Sequence, residues 1–208
     1  NGGLAIGSGK GNVTVNIKDN VAIDTDETAV NPDSFFGYSG IGGGNIDAGD
    51  STRKVVVNID GGKDGKVKLG EKSALSGYYG AISGTEVNIG DNVLLKMKQS
   101  GSKDGKYINM NGAEAEVGTR SDDTGASGLV NTIGDNTELW YTNCYSRLQK
   151  IVHGKNICKK SPKQNITQQP TCTEPGSADY ACDYEHTNGV AHPSCNRTWT
   201  DELPALGH

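Results

Sequence analysis

Thiol and imidazole groups are confined to the C-terminal third of the chain, where they could form disulfides or bind a metal ion. All five cysteines and all four histidines follow residue 143. Four cysteines can pair in three ways, so spacing alone leaves the connectivity open. Pairing of sequential neighbours predicts the disulfides Cys158–Cys172 and Cys182–Cys195, with Cys144 free or paired with another chain. A cysteine-dotted segment of this kind is typical of proteins from an oxidising compartment.

The same segment offers an alternative chemistry, a zinc site. Two thiolates and two imidazoles are ligands that Zn²⁺ binds tetrahedrally, and four residues could supply them: Cys182, His186, His192 and Cys195. The spacing of these residues does not match the usual zinc-finger patterns. The disulfide interpretation is therefore favoured, and zinc is the alternative.

Acidic side chains near the N-terminus could bind Ca²⁺. Asp24, Asp26 and Asp33 lie in one short segment, and carboxylates on a loop are ligands that Ca²⁺ prefers. The segment lacks the EF-hand spacing, and the chain lacks an array of Gly-Gly-x-Gly-x-Asp nonapeptides. We therefore expect solubilising loop acids and no cofactor, with calcium as the alternative.

Three Asn-x-Thr sequons could carry N-linked glycans, at Asn12, Asn165 and Asn196. They matter only if the chain is made in a cell that glycosylates such sites. Three sequons could also occur by chance in a chain this rich in Asn and Thr.

No residue pattern indicates catalysis. The first 143 residues contain neither Cys nor His, so a nucleophile–histidine pair cannot be built within them. Carboxylates are plentiful, but no spacing singles out an acid–base pair of the kind that cleaves glycosidic bonds. The sequence therefore predicts a protein that is not an enzyme.

A repeated corner motif indicates how the chain is organised. An apolar residue, a variable residue, an acid and a polar residue recur in Ile17-Lys18-Asp19-Asn20, Leu69-Gly70-Glu71-Lys72, Ile89-Gly90-Asp91-Asn92 and Ile133-Gly134-Asp135-Asn136. Together with looser copies, these corners suggest a repeat of about 20–24 residues. A repeat of that length is typical of solenoid proteins.

The segments before these corners alternate apolar and polar residues, as β-strands do. Examples are residues 13–17, 55–59 and 86–89. Only 33% of the residues are hydrophobic and 30 are glycines, so a thin core of stacked β-branched residues is expected. The sequence therefore predicts a parallel β-helix over residues 1–143, with an antiparallel β-sandwich as the alternative.

The remaining residues, 144–208, differ in composition and form the second predicted domain. Apolar residues at helical spacing predict a short helix over residues 145–153. The rest shows no clear periodicity and is expected to be a small, loop-rich module held by disulfides. Such a module would cap the solenoid or lock one subunit to the next.

Residues 12–140 resemble the passenger regions of bacterial surface adhesins and autotransporters. The resemblance rests on strand-and-corner segments such as Val87-Asn88-Ile89-Gly90-Asp91-Asn92-Val93. It covers about two thirds of the chain and includes no catalytic motif. The resemblance implies a β-helix displayed at a cell surface.

These observations predict a secreted or surface-displayed structural or adhesive protein, either an adhesin segment or a subunit of an extracellular fibre. A carbohydrate-binding or carbohydrate-cleaving β-helix is the alternative. The expected partners are further copies of the chain or a ligand on a host or cell surface. The net charge of −5 argues against nucleic acid as a partner. No apolar run approaches the ~20 residues that span a membrane.

Overall fold

The computed structural model describes residues 6–8, 10–24, 40–43, 52–77, 80–99, 107–110, 133–143, 145, 147–160, 162–183, 195 and 197–207. Within these ranges the fold is all-β, with one short helix. The strands lie in four separate sheets of three to five strands each.

Two of the sheets are entirely parallel. The first consists, in spatial order, of β1 (Ile6–Ser8), β4 (Ile41–Gly43), β7 (Ile82–Gly84) and β10 (Ile108–Met110). The second consists of β2 (Val13–Lys18), β5 (Val55–Asp60) and β8 (Glu86–Ile89).

The third sheet is mixed and the fourth is antiparallel. The third contains four parallel strands and one antiparallel edge strand, in the order β3 (Val21–Ile23), β6 (Val67–Leu69), β9 (Val93–Lys98), β11 (Glu138–Thr142) and β12 (Leu148–His153). A single helical turn, α1 (Lys155–Cys158), follows β12. The fourth sheet contains β13 (Pro162–Gln168), β14 (Gly176–Cys182) and β15 (Thr198–Leu203).

The first three sheets share one hydrophobic core. Buried side chains alternate with more exposed ones along β2, β5 and β9, so one face of these strands lies in the core. In the second sheet Ile17 pairs with Ile59 and Ile59 with Ile89, and all three side chains lie in the core. Ile59 is fully buried because it has an isoleucine neighbour on both sides.

The prediction of a single β-solenoid with rungs of 20–24 residues is wrong. The described strands form four separate small sheets, of which one is mixed and one antiparallel. Parallel partners are also further apart along the chain than predicted, since Val13 pairs with Val55 and Val67 with Val93. The predicted period combined two different turns: the corner at Leu69 follows β6, whereas the corner at Ile89 joins β8 to β9. Gly and Asp favour any tight turn, so their recurrence does not identify equivalent turns.

The alternative prediction, an antiparallel β-sandwich, fits only in part. Separate sheets pack around a shared core, as in a sandwich. The strands of the first two sheets are nevertheless parallel, and only the fourth sheet is wholly antiparallel.

Two predictions for the C-terminal third are also wrong. Residues 145–153 do not form a helix, because Leu148–His153 is strand β12, paired antiparallel with β11. Pairing of Val152 with Leu139 buries both side chains, and this tertiary contact outweighs a weak helical pattern. The following residues are not mainly loops, since β13, β14 and β15 form a regular sheet. The predicted domain boundary at residue 143 falls between β11 and β12 of one sheet.

Among the described residues, no helix has the length and apolar character needed to cross a membrane.

Candidate metal centre

Four potential metal ligands meet where the third sheet contacts the fourth. His153 ends β12, Cys158 ends α1, Cys182 ends β14, and Cys195 lies shortly before β15. All four residues are buried, and their ligand atoms lie within 4.8 Å of one another. This group is called the Cys3His cluster below.

The turn after β12 places Cys158 beside His153. The amide of Gly154 donates a hydrogen bond of 2.7 Å to the carbonyl of Thr137, which fixes the end of β12. A side chain at Gly154 would lie 2.3 Å from the carbonyl oxygens of Gly134 and Asp135, so only glycine fits. The carbonyl of Gly154 accepts the amide of Cys158 at 3.1 Å, which closes the single turn of α1.

Pairing of β14 with β15 brings the other two cysteines to the same point. The amide of Cys182 donates a hydrogen bond of 2.9 Å to the carbonyl of Arg197. This bond continues the ladder that pairs Ala181 with Thr198. Cys195 therefore lies next to the end of β14, although twelve residues separate it from Cys182.

The spacing of the ligand atoms fits a tetrahedral metal ion. The Sγ atoms of Cys158 and Cys195 are 4.0 Å apart, and the Sγ of Cys182 is 3.6 Å from Nδ1 of His153. Tetrahedral zinc, with Zn–S bonds of ~2.3 Å and Zn–N bonds of ~2.0 Å, places sulfur atoms ~3.8 Å apart and sulfur and nitrogen ~3.6 Å apart. These two distances are close to the edges of such a tetrahedron, and all four ligand atoms lie within 4.8 Å of one another.

Two hydrogen bonds to or from the His153 backbone support the cluster. The amide of His153 donates to the Sγ of Cys195 at 3.4 Å. The guanidinium of Arg197 donates to the carbonyl of His153 at 3.4 Å and holds that peptide in place. Hydrogen bonds of this kind orient metal ligands and stabilise their charged form.

The pKa values of two thiols in the cluster, those of Cys158 and Cys195, are shifted in opposite directions. Hydrogen bonds from Cys158 and Cys182 hold the pKa of the Cys195 thiol far below its ordinary value. Hydrogen bonds to Cys182 and Cys195, together with burial, raise the pKa of Cys158. Burial lowers the pKa of His153, but hydrogen bonds to Cys182 and Cys195 outweigh it and raise the pKa to about 9. The shifts favour a thiolate at Cys195 beside a protonated imidazole at His153, so metal binding would release the proton of His153.

The Cys3His cluster can hold a metal ion. It supplies four ligands, enough to complete a tetrahedron without a bound water or substrate. Such a closed set is typical of structural rather than catalytic metal sites.

Neither predicted disulfide, Cys158–Cys172 or Cys182–Cys195, is seen at bonding distance. Cys158, Cys172, Cys182 and Cys195 are all free thiols. Cys172 is exposed in the turn between β13 and β14, whereas Cys158 is buried in the cluster. The 4.0 Å between Cys158 and Cys195 is also well beyond the ~2.05 Å of a disulfide bond. Cys144 lies outside the described residues.

Two of the four residues predicted as zinc ligands lie in the cluster. Cys182 and Cys195 are in the cluster, whereas His186 and His192 lie outside the described residues. The sequence reasoning missed His153 and Cys158, which complete the cluster. The available signal was a histidine followed directly by glycine and, five residues after the histidine, by a cysteine. Assigning residues 145–153 to a helix hid this signal.

Calcium binding is not supported. The Oδ1 atom of Asp24 accepts hydrogen bonds from the amides of Lys72 and Ser73, at 2.8 and 3.3 Å, and so has a structural role. Asp26 and Asp33 lie outside the described residues.

Two of the three sequon asparagines lie within the described residues, and both are exposed. Asn12 is exposed, and its Oδ1 accepts the amide of Lys54 at 2.8 Å. Asn165 is exposed on β13, and Asn196 lies outside the described residues.

Comparison of this chain with protein-family models, curated proteins and solved structures found no match.

Proposed function

We propose that this chain is a structural zinc protein, in which one Zn²⁺ ion bound by the Cys3His cluster fastens the C-terminal sheet to the parallel sheets. The observation that carries this proposal is the convergence of three buried thiols and one imidazole at tetrahedral distances.

The ligand types favour zinc over other metal ions. Thiolate and imidazole are the ligands of structural zinc sites, whereas Ca²⁺ and Mg²⁺ prefer oxygen. Copper(II) and nickel(II) prefer square-planar arrangements, which ligand atoms at tetrahedral spacing do not offer. Iron bound by thiolates is the nearest competitor, and metal analysis distinguishes it from zinc.

The composition of the second core supports a structural role for a metal ion there. This core consists of Cys158, Cys182 and Cys195, with Trp199 packed against them. Three cysteines bury little apolar surface, and small modules with so small a core usually need a metal or disulfides to fold. Zinc would supply the free energy of folding that the side chains lack.

A pair of cysteine variants tests this proposal. We expect the purified protein to contain one zinc ion per chain by mass spectrometric metal analysis. Cys195→Ser should lose the metal and lower the melting temperature, because it removes a buried ligand. Cys172→Ser is the matched control and should leave metal content and melting temperature unchanged, because Cys172 is exposed and outside the cluster.

Two results would contradict the proposal. One is iron in place of zinc in protein purified without added metal. The other is metal-free protein with a disulfide between two of the three cluster cysteines, found by mapping peptides under non-reducing conditions.

A structural or adhesive role at a cell surface is the second proposal. It is supported by the parallel sheets, whose end strands β1, β2 and β3 each pair on one side only among the described strands. Open strand edges can pair with another copy of the chain. The outer face of the second sheet also carries a ladder in which Asn88 donates to Asn58 and Asn58 to Asn16, at 2.9 and 2.8 Å. Ordered filaments in negative-stain electron micrographs would support self-association, and uniform single particles would contradict it.

A further inference from the structure

The Cys3His cluster contains a pair of thiols close enough to react with each other. The Sγ atoms of Cys158 and Cys195 are 4.0 Å apart, so they must approach by about 2 Å to reach the ~2.05 Å of a disulfide bond. Rotation about the Cα–Cβ bonds can supply much of that movement. The third thiol, Cys182, contacts Nδ1 of His153 at 3.6 Å. The sulfur pair at 4.0 Å lies between α1 and the segment before β15.

The two thiols of this pair differ in their exposure to solvent. Cys158 is fully buried, whereas Cys195 is 5% exposed. The Sγ of Cys195 also accepts the amide of His153 at 3.4 Å, and such a hydrogen bond stabilises a thiolate. Cys182 is 6% exposed, but its sulfur faces the imidazole of His153. Because oxidants attack thiolates that solvent can reach, a small oxidant reacts first with Cys195, and Cys158 is placed to react with the oxidised sulfur.

We propose that Cys158 and Cys195 are a redox-sensitive pair, which binds Zn²⁺ when reduced and forms a disulfide when a peroxide oxidises it. The inference rests on the proposed zinc site and adds its regulation. An oxidised pair leaves only His153 and Cys182 as ligands, half of the set that closes a tetrahedron. Oxidation therefore releases the ion.

The reaction consumes one molecule of hydrogen peroxide for each pair. The thiolate of Cys195 attacks one peroxide oxygen, breaks the O–O bond and becomes a sulfenic acid, while hydroxide leaves. The thiolate of Cys158 then attacks the sulfur of Cys195, forms the S–S bond and expels a second hydroxide. Two protons from solvent convert both hydroxides to water. The two sulfur atoms together lose two electrons, the peroxide gains them, and Zn²⁺ leaves without a change of charge.

The disulfide takes over the fastening role of the metal. It links α1 to the segment before β15, across 37 positions of the chain. A cross-link between residues so far apart lowers the entropy of the unfolded chain and thereby stabilises the fold. The fourth sheet therefore stays attached to the third when oxidation releases the zinc, but not when a chelator removes zinc from the reduced protein.

Peroxide titration of the zinc-loaded protein tests this inference. The full chain carries Cys172→Ser, because Cys172 is exposed and would otherwise form disulfides between chains. A chromogenic zinc indicator follows release of the metal, and mass spectrometry of peptides under non-reducing conditions maps the disulfides. We expect one disulfide, between Cys158 and Cys195, for each zinc ion released. Dithiothreitol followed by zinc should restore the bound metal.

Two variants in this background identify the reacting pair. Cys158→Ser leaves Cys195 without its reaction partner, so peroxide should convert Cys195 to a sulfinic acid that dithiothreitol does not reverse. Cys182→Ser is the matched control. It also removes one member of the cluster, but it keeps the pair and should form the same disulfide.

Three results would overturn the proposal. One is zinc that stays bound at a peroxide concentration that fully oxidises Cys172 in the unsubstituted chain. Another is zinc release that yields a disulfide of Cys182, or sulfinic acids without a disulfide. The third is equal protease sensitivity of the fourth sheet in the oxidised and in the chelated protein.

Failure of this inference is distinct from failure of the zinc proposal. The zinc proposal is judged on the metal content before peroxide is added. If that content is zero, peroxide should still join Cys158 to Cys195 in the metal-free protein, because their contact belongs to the chain itself. A different disulfide in that sample would overturn the assigned pair.

Discussion

Tyr141 carries a buried hydroxyl group into the core of the parallel sheets. Its ring packs edge-on against Tyr107, with centroids 5.0 Å apart and planes 80° apart. The hydroxyl has no hydrogen-bond partner among the described residues. Burial, with a smaller contribution from Tyr107, raises the pKa of Tyr141 above its ordinary value of 10.0.

Replacing Tyr141 with phenylalanine should therefore change the stability of the folded protein little at neutral pH and increase it at high pH. Since the pKa of Tyr141 is higher in the folded than in the unfolded chain, its stabilising contribution is complete below pH ~10 and is lost as the pH rises above that value. We expect Tyr141→Phe to unfold at a similar urea concentration at neutral pH and to lose less stability above pH ~10. Urea titrations at both pH values test this. Equal losses of stability in the two proteins would contradict it.

Residue types predicted part of the metal centre. Cys182 and Cys195 were recognised as possible zinc ligands because thiolates bind zinc whatever the fold. His153 and Cys158 could not be assigned in the same way, because their proximity depends on the strand β12 and on the turn at Gly154. Disulfides were favoured because a sequence shows how many thiols a segment has but not the distances between them.

At the scale of elements, stacked corners tie the second sheet to the third. The Oδ1 atom of Asp60 accepts the amide of Asp91 at 2.9 Å. The carboxylate of Asp91 in turn accepts the amide and the side chain of Asn136, at 2.6 and 2.9 Å. Asn156 then donates to Asn136 at 3.2 Å, so this ladder reaches the helical turn that carries Cys158.

Loss of one corner carboxylate should weaken the fold. Asp91→Ala removes the acceptor of the amide and the side chain of Asn136. Because Asn136 is exposed, water replaces part of this bonding, and we expect a loss of about 0.5–1.5 kcal/mol in the free energy of unfolding. Asp91→Asn keeps one acceptor oxygen and should therefore cause a smaller loss in the free energy of unfolding. Asp64→Ala is the control, because Asp64 is an exposed residue in a nearby turn. Chemical denaturation of the three variants gives the comparison, and equal effects of Asp91→Ala and Asp64→Ala would rule out the ladder as a source of stability.

The sequence predicts the positions of the strands better than it predicts which strands pair with each other. Residues 13–17, 55–59 and 86–89 form β2, β5 and β8 almost as predicted, because alternation of apolar and polar residues reflects burial of one face. The pairing of these strands was not predicted, since the loops between them differ in length and the corner motif occurs in unlike turns. Residues 148–153 became a strand because pairing with β11 outweighed local preference.

At the scale of the whole molecule, two cores of unequal size hold the chain together. The larger contains apolar residues from the first three sheets, whereas the smaller contains three cysteines and one tryptophan. An ion pair of 3.2 Å between Lys159 and Asp201 also joins α1 to the fourth sheet. It is partly exposed, and such pairs contribute little.

Removal of the metal should therefore affect the fourth sheet and the parallel sheets differently. We expect a zinc chelator to make the fourth sheet sensitive to protease while the parallel sheets stay resistant, because only the smaller core depends on the metal. Limited proteolysis followed by mass spectrometry should give a stable fragment that contains β2 to β11. Zinc added back before the protease should restore resistance. Loss of both parts together after chelation would show that the metal supports the entire molecule.

The position of the four ligands along the chain has a consequence for biosynthesis. The chain emerges from the ribosome with its N-terminus first, so the parallel sheets and β12 can assemble before Cys182 and Cys195 have been translated. A nascent chain at that stage offers only His153 and Cys158, half of the ligand set. Tight capture of the ion must await translation of Cys195. Metal loading would then follow assembly of the parallel sheets, and chains that stop before Cys195 would be left metal-free and open to degradation.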